Sequence, residues 1–101
     1  ELMTSLVEDA VSRGATVLTG GQRIGNRGCF FPPTLVADLP KDSKLAATEP
    51  FGPLASVERF SDLGACIAAA NGSSVGLAGY VFTQSAKAAV EVSDALEVGM
   101  V

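Results

Sequence analysis

The sequence predicts an α/β fold in which a mostly parallel sheet is flanked by helices. From Leu54 onwards, segments typical of strands alternate with segments typical of helices, and this alternation favours parallel strands joined by right-handed crossovers. The run Leu77–Val81 is almost uniformly apolar, as in a strand that is covered on both faces. Alanines crowd both later helical segments, which favours helices that pack close to a sheet. We expect the 101 residues to form part of one domain.

The first third of the chain predicts a helix, a strand and a loop. Apolar residues recur at helical spacing from Leu2 to Val11, and Gly14 is a suitable stop after them. Ala15–Thr19 is a short β-branched run that predicts a strand, and the polar, glycine-rich segment Gln22–Gly28 predicts a loop. Phe30–Val36 is apolar but contains two prolines. It therefore predicts an edge strand or an extended segment, not a central strand.

The middle of the chain is the least regular part. Prolines interrupt the segment 38–53, within which Ser43–Thr48 predicts a single helical turn. Leu54–Phe60 predicts a strand. Ser61 is the expected N-cap of a helix that presents Leu63, Cys66, Ile67 and Ala70 on one face.

The last third predicts a strand, a helix and the start of another strand. Asn71-Gly72 ends the preceding helix, and Leu77–Thr83 predicts a strand. Ser85 caps a further helix that Gly99 stops, with Ala89, Val92 or Ser93, and Leu96 pointing inward. Met100-Val101 then begins a strand. Because the chain opens at Glu1 inside a helix and stops inside this strand, we expect a piece of a larger domain.

Composition excludes several functional classes for this chain. Seven basic and eleven acidic residues give a net charge of −4, which lacks the positive surface that nucleic acids require. The absence of histidine excludes any Ser-His or Cys-His nucleophile pair, and with two distant cysteines it leaves no zinc site to argue for. The longest apolar run, Ala65–Ala70, falls far short of the roughly 20 residues of a membrane helix. The two cysteines indicate a reducing compartment, and we expect a cytoplasmic protein.

Four features that suggest a functional site have ordinary structural explanations. Gly20-Gly21 follows a strand, but the spacing is not that of a dinucleotide-binding loop, so a flexible turn is expected. Asn71-Gly72-Ser73 matches the glycosylation pattern, yet a helix-ending turn explains it better. Cys66 lies on the apolar face of a predicted helix, which indicates a buried core thiol. Cys29 has only Arg27 nearby and no histidine to activate it, so a nucleophilic role is not expected.

The segment Thr48-Glu49-Pro50-Phe51-Gly52-Pro53 is the best candidate for a binding site. The two prolines stiffen the backbone and present an acid and an aromatic side by side. A carboxylate at Glu49 can accept two hydrogen bonds from a vicinal diol such as a ribose, and Phe51 offers a flat apolar surface to a heteroaromatic ring. The alternative is a proline-rich turn with Glu49 in solvent and Phe51 in the core.

At this motif the sequence resembles the aldehyde dehydrogenase superfamily, and the resemblance covers essentially the whole chain. An ordered set of blocks carries it: G-A-T-V-L-T-G-G at 14–21, R-G-C-F-F-P-P-T at 27–34, T-E-P-F-G-P at 48–53, A-N-G-S-S-V-G-L-A-G-Y-V-F-T at 70–83 and A-L-E-V-G-M-V at 95–101. Within the superfamily, the chain is most similar to the bacterial succinate-semialdehyde dehydrogenases.

The resemblance implies NAD- or NADP-dependent oxidation of a small aldehyde, succinic semialdehyde, to the carboxylic acid. Glu49 matches the family's glutamate that holds the nicotinamide ribose, and Phe51 matches its companion phenylalanine. The nucleophilic cysteine, the general base and the cofactor domain would lie before Glu1. Residues 1–101 would thus be a piece of the catalytic domain with no catalytic residue and no metal ligand, inactive alone.

Two further expectations concern partners and alternatives. An excised piece would expose unpaired strand edges and apolar surface, so we expect pairing with another copy of the chain, and a homo-oligomer for the parent. The competing hypothesis is a non-catalytic interaction domain that reuses the fold. A phosphate-reducing relative, such as the glutamyl-phosphate reductase branch, ranks lower because E-P-F-G-P is not typical of it.

Overall fold

The computed structural model describes all 101 residues, which divide into two units. Unit 1 comprises Glu1–Arg59 and unit 2 comprises Phe60–Val101. Four helices and three strands are formed in all. None of the four helices combines the length and the apolar character that a membrane-spanning helix needs.

Unit 1 contains two helices and all three strands. In chain order these are α1 (Leu2–Ser12), β1 (Thr16–Thr19), β2 (Thr34–Ala37), α2 (Lys44–Ala47) and β3 (Leu54–Val57). The helix, strand and helical turn expected in this region are therefore present. The strand expected over 54–60 ends three residues early, at Val57.

The sheet of unit 1 is mixed, with strand order β1-β2-β3. β1 pairs antiparallel with β2, beginning at Thr16 opposite Ala37, and the register shifts between Val17 and Thr19. β2 pairs parallel with β3, with Thr34 opposite Leu54. The α/β class is confirmed, and the sheet combines one parallel with one antiparallel pairing.

The position of β2 corrects the expectation of an edge strand or an extended segment. β2 is the central strand because it pairs with both β1 and β3, and Pro32 and Pro33 permit this pairing because they precede the strand instead of interrupting it. From Thr34 onwards every residue has an N–H for the ladder, and the Thr34 N–H donates to the Pro53 carbonyl at 2.8 Å. The prolines thus lie just before the strand, where they cost no ladder hydrogen bond.

The core of unit 1 forms where α1 and α2 meet the sheet. Its buried residues come from both helices, from β2 and β3 and from the turn after α1: Leu6, Val7, Ala10, Ala15, Val36, Leu45 and Leu54. Met3, Val17, Phe31 and Leu39 pack against them and are half-buried. Gly14, with φ of +110°, ends α1 and returns the chain towards β1. The amphipathic spacing of α1 therefore produces the packing that it predicted.

Unit 2 contains α3 (Leu63–Ala70) and α4 (Ala86–Ala95). The N-cap of α3 is Asp62, not the expected Ser61: its carboxylate accepts from the Ala65 N–H at 2.6 Å. Both residues are good caps, and only the three-dimensional path of the chain decides between neighbours. Ser85 caps α4 as expected, through a 3.2 Å hydrogen bond from the Ala88 N–H.

The strand expected over Leu77–Thr83 is reduced to one bridge. Only Ala78 pairs, in parallel with Met100, and the Gly79 N–H donates to the Met100 carbonyl at 2.8 Å. Leu77 is 85% exposed and Phe82 is 95% exposed, so the run is not covered on both faces. A parallel strand needs a paired neighbour along its length, and unit 2 supplies only the short end of the chain. α4 also ends at Ala95, before the expected stop at Gly99.

Candidate functional site

Glu49 and Phe51 lie in unit 1, on the connection between α2 and β3. Both side chains are exposed, and Phe51 is 85% exposed. The connection leads directly into β3, so its far end is held by the sheet. An acid and an aromatic, separated by Pro50, are therefore both exposed on a segment anchored at both ends.

Residues of α1 and α2 anchor the start of this segment. Ser43 is buried and caps α2 by accepting from the Ala46 N–H at 3.3 Å, and Leu45 points into the core. The Asp9 carboxylate of α1 accepts from the Lys44 N–H at 2.8 Å. This short helix has little stability of its own, so these contacts hold it in place.

The backbone of the segment turns tightly before it joins the sheet. Thr48 is extended, with φ of −122° and ψ of 126°, and ends α2. The Gly52 N–H donates to the Pro50 carbonyl at 2.9 Å, and the Leu54 N–H donates to the Gly52 carbonyl at 2.8 Å. Two consecutive three-residue turns thus lie directly after Glu49.

A close approach between Gly52 and α1 also restricts the segment. A Cβ atom built on Gly52 would lie 2.6 Å from the Met3 sulfur and 3.1 Å from its Cγ. Glycine is therefore the residue that permits this approach, and any larger residue would displace Met3 or the turn. Met3 is the residue in contact with this segment that the sequence did not predict, because nothing in the spacing of α1 indicates what packs against its first turn.

The structure agrees with the ordinary-turn interpretation in the exposure of Glu49 and departs from it in the exposure of Phe51. Phe51 is not in the core of this chain, which contradicts the ordinary-turn interpretation on that point. The ion pairs of the chain join Arg13 to Asp9 and to Asp42, and Glu49 belongs to neither. An exposed carboxylate beside an exposed ring can accept hydrogen bonds from a diol and cover a flat ligand.

The charged side chains Asp9, Arg13 and Asp42 form a cluster next to α2 that has a structural role. The N–H of Lys44 and the adjacent Arg13 guanidinium hold the pKa of Asp9 below its ordinary value. The Asp9 and Asp42 carboxylates raise the pKa of Arg13, whose Nε and Nη1 lie 3.3 Å from Asp9 Oδ1 and 2.7 Å from Asp42 Oδ2. The hydrogen bond between Asp9 and Lys44 joins two residues that are 35 positions apart, and no local pattern in the sequence predicts it.

The other candidate motifs take the structural roles expected of them, with one correction. Gly20 and Gly21 have positive φ and form a turn in which the Gly21 N–H donates to Thr34 Oγ1 at 2.9 Å. Cys29 is exposed, whereas Cys66 is half-buried and not the fully buried core thiol expected. α3 buries no residue completely, so its apolar face gives Cys66 only partial cover.

A groove of about 630 Å³ lies elsewhere in unit 1, between α1 and the loop that precedes Phe31. Met3, Glu8, Arg23 and Cys29 are among the residues that line it. Neither Glu49 nor Phe51 does, so the segment is an exposed surface and not the wall of this groove. No group of three or more acidic or cysteine side chains lies close enough together to hold a metal ion.

Comparison with known proteins places these features in a family. The model of the aldehyde dehydrogenase family matches residues 1–101. The chain is 48% identical, over 94% of its length, to succinate-semialdehyde dehydrogenase [NADP(+)] 2 of Schizosaccharomyces pombe. It is 46% identical, also over 94% of its length, to glutarate-semialdehyde dehydrogenase of Pseudomonas putida.

Solved structures agree with these relatives. The NAD+ complex of an aldehyde dehydrogenase from Bacillus cereus superposes on 97% of the chain with a TM-score of 0.87 and 34% identity. The chain spans about a fifth of each protein: 20% of the S. pombe enzyme, 19% of the P. putida enzyme and 20% of the B. cereus chain. A match over the full 101 residues, at this identity and with this likeness of fold, shows that the chain belongs to the aldehyde dehydrogenase family.

Proposed function

We propose that the 101 residues are part of a longer enzyme that oxidises succinic semialdehyde to the carboxylic acid with NAD or NADP. The observation that carries the proposal is the exposure of both Glu49 and Phe51, two positions apart on a segment held by α1 and the sheet. Family membership and relatives named for semialdehydes support it. Glutaric semialdehyde is the nearest alternative substrate, because one of these relatives carries that name.

In this proposal the chain contributes binding and orientation. The bound cofactor would accept the hydride that leaves the aldehyde. The Glu49 carboxylate would accept hydrogen bonds from the two hydroxyls of the nicotinamide ribose, and Phe51 would lie against the nicotinamide end. The tight turns over 50–54 fix the backbone that follows Glu49 and carries Phe51, so little backbone entropy is lost on binding. The nucleophile and the base would come from other parts of the enzyme, so residues 1–101 alone would be inactive.

The test replaces Glu49 in the enzyme that contains this chain. Glu49→Gln keeps the size of the side chain but removes its charge, which weakens both hydrogen bonds to a ribose. Two hydrogen bonds to a charged group contribute about 3–6 kcal/mol together, and the amide oxygen of the variant can still accept, so only part of this free energy is lost. We expect turnover or cofactor affinity to fall roughly tenfold to a hundredfold, which corresponds to about 1.4–2.7 kcal/mol. Glu58→Gln is the matched control, because Glu58 is also exposed and lies just after β3.

The measurement follows formation of reduced cofactor with succinic semialdehyde, glutaric semialdehyde and other aldehydes, using NAD and NADP in turn. An unchanged rate and an unchanged cofactor affinity in Glu49→Gln would overturn the assigned role of Glu49. A preference for another aldehyde would rule out succinic semialdehyde as the substrate and leave the proposed oxidation of an aldehyde in place.

A second candidate function is a non-catalytic interaction domain. The exposed apolar residues Leu77, Tyr80 and Phe82 of unit 2 fit a surface for a protein contact, as they also fit the inner face of a larger domain. The two candidates separate in the same assay, because an interaction domain would form no reduced cofactor with any aldehyde. A homo-oligomeric parent and a cytoplasmic location remain predictions, which light scattering and cell fractionation would test.

A further inference from the structure

Asn71 joins the ends of the two helices of unit 2. Its Nδ2 donates to the Ala95 carbonyl at 2.8 Å, and its Oδ1 accepts from the Glu97 N–H at 2.9 Å. Ala95 is the last residue of α4, and Asn71 is the C-cap of α3. One side-chain amide therefore satisfies a carbonyl at the end of α4 and an N–H just beyond it. We call this pair of hydrogen bonds the amide clamp.

Gly72 follows Asn71, and an Asn-Gly dipeptide can deamidate through a cyclic imide. The Gly72 backbone nitrogen, after it loses its proton to solvent, can attack the Asn71 Cγ and form an N–Cγ bond. The Cγ–Nδ2 bond then breaks, and the leaving nitrogen takes up a proton from solvent and departs as ammonia. Water then opens the cyclic imide at either carbonyl and produces aspartate or isoaspartate. Glycine favours this reaction because it has no side chain to hinder the approach of its nitrogen.

The structure of unit 2 opposes the ring closure in three ways. The five-membered ring requires the Gly72 nitrogen to be eclipsed with the Asn71 Cβ about the Cα–C bond. The observed ψ of −6° instead brings that nitrogen next to the backbone nitrogen of Asn71. The Gly72 N–H donates to the Ala69 carbonyl at 3.2 Å, and the amide clamp holds the side chain that would be attacked.

We propose that Asn71 is a conditional deamidation site, unreactive while the amide clamp is closed and converted to aspartate or isoaspartate when the α3–α4 contact opens. The aspartate product cannot donate to the Ala95 carbonyl. It would also place a negative charge at the C-terminal end of α4, where the helix dipole is already negative. The conversion would therefore prevent the clamp from closing again, so a transient opening would become permanent.

Asn26 provides an internal reference for the test. It is the other asparagine of the chain, lies in an exposed loop and is followed by Arg27. The purified protein is incubated at mildly alkaline pH, folded and in concentrated urea, and mass spectrometry of its peptides follows conversion at both asparagines. We expect the ratio of the Asn71 rate to the Asn26 rate to fall roughly tenfold or more on folding, as local protection predicts. An equal ratio in both conditions would overturn the proposal.

A matched pair of variants tests the amide clamp itself. Glu97→Pro removes the N–H that donates to Asn71, and the preceding Leu96 already has the extended ψ of 125° that suits a residue before proline. Glu97→Ala also removes the charge but keeps the N–H. In the folded protein, we expect Glu97→Pro to raise the ratio of the Asn71 rate to the Asn26 rate several-fold and Glu97→Ala to leave it unchanged. An unchanged ratio in Glu97→Pro would show that the clamp does not protect Asn71.

Discussion

The two units contain similar numbers of apolar residues but bury them to very different extents. Unit 1 holds seven of the eight fully buried hydrophobic residues, whereas unit 2 holds only Val92. In unit 1 a helix lies against a three-stranded sheet, so each apolar face has a second layer to pack on. Unit 2 has two helices and a single bridge, and its apolar run at 77–82 is exposed at Leu77, Tyr80 and Phe82.

The difference shows that an apolar segment becomes core only where another element covers it. α1 buries Leu6 because α2 and the sheet meet it, while the equally apolar segment at 77–82 has no such neighbours within unit 2. Burial supplies most of the favourable free energy of folding, so unit 1 should resist unfolding more than unit 2 does. The predictions below test that contrast.

The largest effect is expected from a cavity in the core of unit 1. Leu6 is 2% exposed, so Leu6→Ala removes buried methyl groups and leaves a cavity that the packed neighbours fill only partly. We expect a loss of about 2–5 kcal/mol in the free energy of unfolding. Urea unfolding, read by hydrogen exchange in peptides from each unit, measures it.

The same truncation in unit 2 serves as the control. Leu77→Ala removes the same atoms from an exposed side chain and should change the stability by less than about 0.5 kcal/mol. A large loss in this variant, measured in the same chain, would mean that Leu77 is covered in solution and would remove the contrast between the units.

The second-largest loss of stability is expected when alanine replaces a glycine that has close neighbours. Gly20 has φ of +71°, and a Cβ atom there would collide with Thr34 Oγ1 and the Pro33 carbonyl. Gly20→Ala should therefore cost about 1–3 kcal/mol in backbone strain alone. In Gly79→Ala, the nearest atom is the flexible Leu96 Cδ1, at 2.9 Å, which can move away, so a smaller loss is expected.

Gly25→Ala separates the two contributions at Gly20. Gly25 has a similar φ of +64° but no atom within 4 Å of a built Cβ, so it reports the backbone cost by itself. Urea midpoints of the three variants give the comparison. If Gly20→Ala and Gly25→Ala lost the same stability, the close approach of Thr34 to Gly20 would have no energetic weight.

The smallest effect is a pH dependence confined to unit 1. The pKa of Asp9 is lowered by the Lys44 N–H and by Arg13, so its interactions stabilise the fold at neutral pH. This contribution is lost as the pH falls below 3.8, the ordinary pKa of the aspartate side chain, and then through the lower pKa that Asp9 has in the folded state. Asp9→Asn should flatten the acid dependence of unfolding in unit 1 and leave unit 2 unchanged.

The measurement for Asp9 is the urea midpoint at neutral and acidic pH in the wild type and in Asp9→Asn. Asp38→Asn is a suitable control, because Asp38 is an exposed acid of the same unit outside the ion pairs. An acid dependence that survived in Asp9→Asn would assign the effect to other carboxylates.

Much of unit 1 could be predicted from the sequence because its signals are local. The spacing from Leu2 to Val11 predicted α1, and Ser43 predicted the short turn of α2. Pro50 and Pro53 marked a segment that turns tightly in the structure, although the contact of Gly52 with Met3 could not be predicted. The roles of Glu49 and Phe51 as cofactor contacts stay predictions until they are tested.

The expectations that failed depended on neighbours distant in the chain. The central place of β2 follows from its pairing with both β1 and β3, and the prolines before it gave no sign of that. The run from Leu77 had the composition of a buried strand, but burial requires a covering layer that composition cannot specify. The choice of Asp62 over Ser61 as a cap likewise depends on the path of the chain.

The sequence by itself determined which segments form helices, where the chain must turn and which family it resembles, because periodicity, caps, glycines and ordered motifs act over a few residues. Only the tertiary structure decided the strand order, the joining of Asp9 to α2, the exposure of Phe51 and the amide clamp at Asn71. These features arise when residues far apart in the chain meet. Such meetings depend on the packing of whole elements, which no short pattern encodes.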